Sequence, residues 1–175
     1  MAVGTKKSNI ITNLDLPKPA VTEYGKESGQ LRVSSDSFEI AAEDIADVND
    51  VIELTRLPSS SRIYSIQIFS DEIDSHSSPT LATDCGIYLT DGTVKDVDAF
   101  GSAVTTGWGV AAGAGVEFIT EAGAAPVANI GKKLYEILGE SSDPNINYDI
   151  CLRLTAVAAT GAVGTISFVI LFSVS

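Results

Sequence analysis

Histidine, cysteine and basic residues are scarce in this chain of 175 residues. One His and two Cys accompany 11 Lys plus Arg and 23 Asp plus Glu, so the formal net charge is −12. Nucleic-acid binding draws its affinity from Lys and Arg, which argues against a nucleic-acid partner. So few His and Cys residues also leave few side chains for nucleophilic or metal-dependent catalysis. We therefore expect no enzyme activity, no cofactor and no metal centre.

A long uninterrupted apolar run is also missing. Residues 8–16 never form the apolar core of a secretory signal, so synthesis in the cytoplasm is favoured. Residues 154–175 carry no charge and are long enough for a membrane span, but Thr, Ser and Gly interrupt them. Bulky apolar side chains alternate with smaller ones across residues 166–172. This pattern predicts a buried strand and no membrane association.

The two cysteines each lie alone in an apolar, strand-like run. Cys85 and Cys151 have no CxxC spacing and no export signal precedes them. Such residues are most often small buried core side chains in a reducing compartment. A disulfide between them stays open, because the sequence does not give their separation.

Charge divides the chain into unequal parts. Residues 1–32 carry five basic against three acidic side chains, whereas residues 33–98 carry three basic against 14 acidic ones. The first 34 residues show neither helical nor strand periodicity, and the two prolines within residues 14–19 favour an extended path. We predict an extended N-terminal arm over residues 1–34 that orders on a partner, with an unstructured tail as the alternative. The candidate residues for contact with that partner are Ile10, Ile11, Leu14, Leu16, Pro17 and Pro19.

Short strands follow one another from residue 35 onward. Alternation of apolar and polar side chains predicts strands near residues 37–40, 51–57, 64–68, 85–89, 116–118, 148–154 and 166–172. Asp91-Gly92 predicts a tight turn after the fourth of these. Seven short strands with turn signals favour an all-β domain over residues 35–175. We expect a β-sandwich of the jelly-roll type with one short helix.

That helix is predicted near residues 129–139. Apolar residues recur there at helical spacing, Asn129 is a plausible N-cap, and Gly139 is a plausible stop; the periodic residues are Ile130, Leu134, Ile137 and Leu138. Residues 41–48, in which acids mix with alanines, form a weaker candidate.

Three patterns suggest chemistry only on loose criteria. Residues 107–112 match G-x-G-x-x-A, but a predicted strand follows them in an all-β context, whereas a dinucleotide site requires a βαβ unit with a helix after the motif. Acids between residues 71 and 98 leave calcium binding open, although Lys95 opposes a cation. His76 lies among serines and acids in a loop, which does not define a triad. Trp108 is the one candidate platform for a sugar, with burial in the core or an interface as the alternative.

Four stretches, taken in order, are more informative than these motifs. They are residues 11–15 with the following proline pair, residues 50–63 beginning Asp-Val-Ile-Glu-Leu-Thr-Arg-Leu-Pro, residues 79–103 with Asp-Cys-Gly-Ile-Tyr-Leu-Thr-Asp-Gly-Thr, and residues 133–167 from Lys-Leu-Tyr-Glu-Ile-Leu-Gly to Gly-Thr-Ile-Ser. The chain resembles the capsid decoration proteins of tailed bacteriophages, also called cement or head-stabilising proteins.

The resemblance implies a structural function. Such a protein docks on the exterior of an assembled icosahedral shell and ties neighbouring capsomers together, commonly as a trimer. The expected partners are the major capsid protein and other copies of the chain, and the expected location is the virion surface. A carbohydrate-binding β-sandwich, a host-recognition module and a tail or neck protein are the alternatives.

Overall fold

Eight strands form two sheets in the computed structural model, which describes residues 9–14, 16–18, 30–109, 114–120 and 129–174. Sheet 1 has the order β1-β8-β3-β6 and sheet 2 the order β2-β7-β4-β5. The strands are β1 (Arg32–Ile40), β2 (Val51–Pro58), β3 (Ser61–Ser70), β4 (Ala82–Leu89), β5 (Val94–Val104), β6 (Ala114–Glu117), β7 (Asn147–Ala156) and β8 (Gly164–Val174).

The strand order defines a jelly roll. Consecutive strands pass between the sheets, except for β4 and β5, which form a hairpin within sheet 2. All pairs in both sheets are antiparallel. Two four-stranded sheets connected in this way are the double-sheet solution that limits exposed strand edges. The prediction of an all-β sandwich of the jelly-roll type is confirmed.

The interior is built from alternate side chains of both sheets. In β8, Ile166, Phe168 and Ile170 are buried in the core, while Ser167 and Val169 between them are half-buried on the other face. Ile87, Ile150 and Leu152 of sheet 2 are fully buried in the same core cluster. The strand predicted at residues 166–172 is therefore present. None of the helices among the described residues is long and apolar enough to cross a membrane.

Strand β5 was not predicted. The preceding turn forms as expected, with Gly92 at φ +84° and its backbone N–H donating to the Leu89 carbonyl. Beyond it, the β4–β5 pairing shifts register three times. Polar residues at the start of β5, including Lys95 and Asp96, hide its alternation, and the irregular pairing breaks the two-residue period that identifies a strand.

The predicted helix is shorter than expected. It comprises only Leu134–Ile137 (α2, since Asn9–Leu14 forms α1), and Lys133 rather than Asn129 is its N-cap. Gly131 adopts φ +74°, so the preceding residues form a turn in place of a helical start. Gly139, also at φ +74°, follows the helix end as predicted. In the weaker candidate segment, Ala42–Ile45 forms a 3₁₀ helix.

Candidate interaction surfaces

The predicted arm contains a short helix. Ile10, Ile11 and Leu14 lie on α1, so the extended path predicted for this part of the arm is wrong. Pro17 lies just beyond the end of α1, where proline stops helices. Ile11 is 46% exposed and Leu16 is 50% exposed. Pro17 lies exposed in the bend that follows, and Pro19 falls outside the described residues.

Edge strands of both sheets lie at one side of the sandwich. Among the described residues, β1 pairs with β8 alone and β2 with β7 alone. Ser34 Oγ of β1 and Thr55 Oγ1 of β2 are 2.7 Å apart, which links the two edges. Near the end of β1 a groove of about 430 Å³ separates them, and its lining includes Glu39, Glu43 and Glu53. Unpaired strand edges are places where another chain can add a strand.

The outer face of sheet 1 carries almost no charge. The register pairs Val33 with Leu171 and Ser35 with Val169. Ser37 Oγ bonds Ser167 Oγ at 2.7 Å, so the odd-numbered residues of β1 and β8 share this face. The outer face of sheet 1 is defined here by Val33, Ser35, Ser37, Ser65, Gln67, Phe69, Ser167, Val169 and Leu171. Glu39 and Glu117 occupy its margins, where Thr165 and Ser65 bond their carboxylates.

This face was not predicted as a site. Two sequence signals bear on it, the serine-rich start of β1 and the absence of charge after residue 154, but each is weak by itself. Only the strand pairing shows that both segments lie on the same surface.

The outer face of sheet 2 is charged. Arg56 makes a bidentate contact with Asp149, with donor–acceptor distances of 2.6 and 2.8 Å. Arg153 donates to Asp84 at 2.7 Å, and Asp84 also accepts from the Ala103 backbone at 2.8 Å. Both aspartates are buried whereas the arginines are partly exposed. The two sheets thus present surfaces of contrasting polarity.

Asp74 holds together the loops at one end of the jelly roll. Its carboxylate is fully buried and accepts four backbone N–H bonds of 2.7–3.1 Å, from Thr80, Leu81, Ala159 and Thr160. Burial opposes ionisation of this carboxyl, but the four bonds together outweigh burial and lower the pKa of Asp74 to about 2. Its own N–H donates to the Trp108 carbonyl at 3.1 Å. One side chain therefore joins the β3–β4 and β7–β8 loops, and its backbone joins them to the loop after β5.

Trp108 is a core residue. Its side chain is 1% exposed, its Nε1–H donates to the Val104 carbonyl at 3.1 Å, and its ring lies 6.5 Å from that of Phe118. A ring buried in this way offers no stacking surface to a sugar.

The Gly-rich motif follows strand β5, and Gly107 and Gly109 lie in a turn with no helix in its described part. The motif therefore lacks the βαβ setting of a dinucleotide site.

Asp91 and His76 both accept hydrogen bonds from backbone N–H groups of their own loops. Asp91 accepts from the Thr93 N–H at 2.9 Å, which lowers the pKa of Asp91. His76 Nδ1 accepts from the Ser78 N–H at 3.0 Å. Within the part of the chain that the structure describes, His, Cys, Asp and Glu nowhere form a group of three that could hold a metal ion.

Cys85 and Cys151 are both free and buried. They are offset by one residue on paired strands, with Gly86 opposite Cys151 and Leu152 opposite Cys85, so their side chains point to opposite faces of sheet 2. This geometry excludes a disulfide between Cys85 and Cys151. Burial raises the pKa of both thiols, that of Cys151 to about 12.

We expect both thiols to be unreactive in the folded protein. At pH 8 a thiol with a pKa near 12 is ionised in only about one molecule in ten thousand, and the thiolate is the reactive form. Titration with a disulfide reagent should detect almost no thiol under native conditions and two per chain in guanidinium chloride. Rapid native labelling, or no thiol after unfolding, would contradict this arrangement.

Two chains from phage capsids are among the solved structures that share this fold. One, from the capsid of Ralstonia phage GP4, matches with a TM-score of 0.58 and 21% identity over 89% of this chain and 90% of that chain. The other, from the capsid asymmetric unit of cyanophage Pam1, matches with a TM-score of 0.54 and 16% identity over 99% and 100%. No protein-family model matches the chain, and comparison with curated proteins gives no match. At these identities the likeness establishes the fold.

Proposed function

We propose that this chain is a structural virion protein that binds the outer surface of an icosahedral phage capsid. It stabilises the shell by clamping neighbouring capsomers, as a homotrimer. Its partners are the major capsid protein and its own copies, and its location is the exterior of the virion. It performs no catalysis in this role.

The extent of the structural likeness carries the proposal. Both phage-capsid chains match over at least 90% of their own length, so they are chains of about this size and architecture. A jelly roll that makes up a whole chain in two phage capsids is favourable precedent for a capsid role here. The resemblance of the sequence to decoration proteins adds the exterior location and the clamping function.

The arm supplies the contact surface in this proposal. Residues 1–34 form the arm and residues 35–175 the body, although β1 begins at Arg32 within the last residues of the arm. Ile11 and Leu16 expose about half of their surface, as expected of side chains that bury it on a partner. Together with Ile10, Leu14, Pro17 and Pro19 they are the proposed contacts to the capsid or a sister subunit.

Assembly as a trimer would make such a contact effective. Once one arm has bound, the others bind at high local concentration, so weak individual contacts give tight attachment. The acidity of the body is compatible with an exterior position, because the interior of the shell faces DNA phosphates that would repel it.

A binding assay on shells tests the proposal. Purified protein is added to shells assembled without it, the shells are sedimented, and the bound copies are counted. We expect saturable binding at a copy number divisible by three. Protein that stays in the supernatant at every concentration would overturn the capsid role.

A carbohydrate-binding role is not favoured by any observation, since the candidate platform Trp108 is buried.

A further inference from the structure

An apolar stripe crosses the outer face of sheet 1. Leu31, immediately before β1, is 60% exposed and Val33 is 59% exposed. Val33 lies opposite Leu171 on the neighbouring strand, and Val169, two residues before Leu171, is also half-buried. Around the stripe lie serines and Gln67, and the charged side chains that the structure describes on this face lie at its margins. Contiguous exposed apolar surface of this kind marks an interaction site.

Charge identifies the partner. The chain has a net charge of −12, so two copies repel each other wherever their acidic surfaces meet. Among the described residues of its strands, the carboxylates on this face are those of Glu39 and Glu117 at its margins, so the outer face of sheet 1 largely avoids this repulsion. A basic partner would instead gain most from the acidic surfaces, such as the groove beside Glu43 and Glu53. A neutral face on an acidic molecule therefore fits a partner of the same charge.

We propose that the outer face of sheet 1 is the surface through which copies of this chain bind one another. This inference rests on the self-association contained in the proposed function and assigns it to a surface. Strand β1, which pairs with β8 alone in the part of the chain that the structure describes, borders the same face, so we include its outer edge in the surface offered to a neighbouring copy.

Paired charge insertions test the assignment. Val33→Glu with Ser35→Glu places two carboxylates on exposed positions of the face. Val51→Glu with Val94→Glu is the matched control, since these valines are 44% and 50% exposed and both lie on strands of sheet 2. Both double variants carry the same extra charge. Molar mass by light scattering over a range of concentrations, with melting temperature as the check on folding, distinguishes them.

We expect the wild type and the control to be multimers and the face variant to be a folded monomer, with a dissociation constant roughly a hundredfold higher or more. If the double variant unfolds, the single variant Val33→Glu at the strand end replaces it. A face variant that stays multimeric would overturn this assignment and leave the proposed capsid role standing. A wild type that is monomeric at all concentrations would overturn the assignment and the trimer, whereas the shell-binding assay tests the capsid role separately.

Discussion

Deletion of residues 1–29 should lower the affinity for phage shells at least about tenfold while leaving the jelly roll folded. Strand β1 begins at Arg32, so the cut removes no part of either sheet. A tenfold loss corresponds to only about 1.4 kcal/mol, less than the burial of one large apolar side chain provides. In a trimer three arms are lost together, so the effect on shell occupancy is multiplied.

Point variants separate the arm contacts from the loss of chain length. Ile11→Asn with Leu16→Asn replaces the two exposed apolar side chains of the arm. Val163→Asn, at a loop position that is 69% exposed, is the control for removal of exposed apolar surface elsewhere. Occupancy on purified shells, measured by sedimentation, should fall for the deletion and for the arm variant but not for the control. Equal occupancy for all four proteins would show that the arm is not the contact surface.

Replacement of Asp74 should destabilise the body more than replacement of any exposed acid. Asp74→Asn keeps the size of the side chain, but it removes the charge and turns an amide N–H₂ group toward backbone donors. Buried backbone N–H groups that lose their acceptor cost about 1–3 kcal/mol each. For a chain of this length, that predicts a melting temperature lower by roughly 10 °C. Asp91→Asn, at an exposed turn, should change stability by no more than about 0.5 kcal/mol.

The effect of Asp74 should depend on pH in one direction. The pKa of Asp74 in the folded protein is about 2, below the ordinary 3.8 of the unfolded chain. Its ionisation therefore contributes about 2 kcal/mol above pH 4, and this contribution disappears as the pH falls from about 4 to 2. Urea unfolding at several pH values should show the difference between wild type and Asp74→Asn shrinking over that interval. A difference that stays constant with pH would show that the carboxylate is not ionised against these donors.

Local periodicity was sufficient to predict most strands. The alternation in β8 survives in the structure because Ile166 and Ile170 lie in the core and their neighbours do not. Strand β5 was not predicted because it begins with polar residues and its pairing with β4 is irregular. The length of the helix predicted near residues 129–139 was overestimated, because Gly131 adopts a left-handed conformation that apolar periodicity does not reveal.

The surfaces depend on contacts between distant segments, which the sequence does not display. Asp74 receives its bonds from residues 80–81 and 159–160, so its role was not visible in the acidic loop where it occurs. The outer face of sheet 1 likewise combines residues near 33 with residues near 171. The prediction of an arm rests on its prolines and mild positive charge, and the helix α1 within residues 1–34 was not predicted.

Electron cryo-microscopy of phage particles made with and without this protein tests the proposed capsid role most directly. We expect particles made without the protein to lack density on the outside of the shell at three-fold or local three-fold positions. We also expect a trimer of jelly rolls to fit this density. An unchanged shell with density missing from the tail or neck would contradict this role.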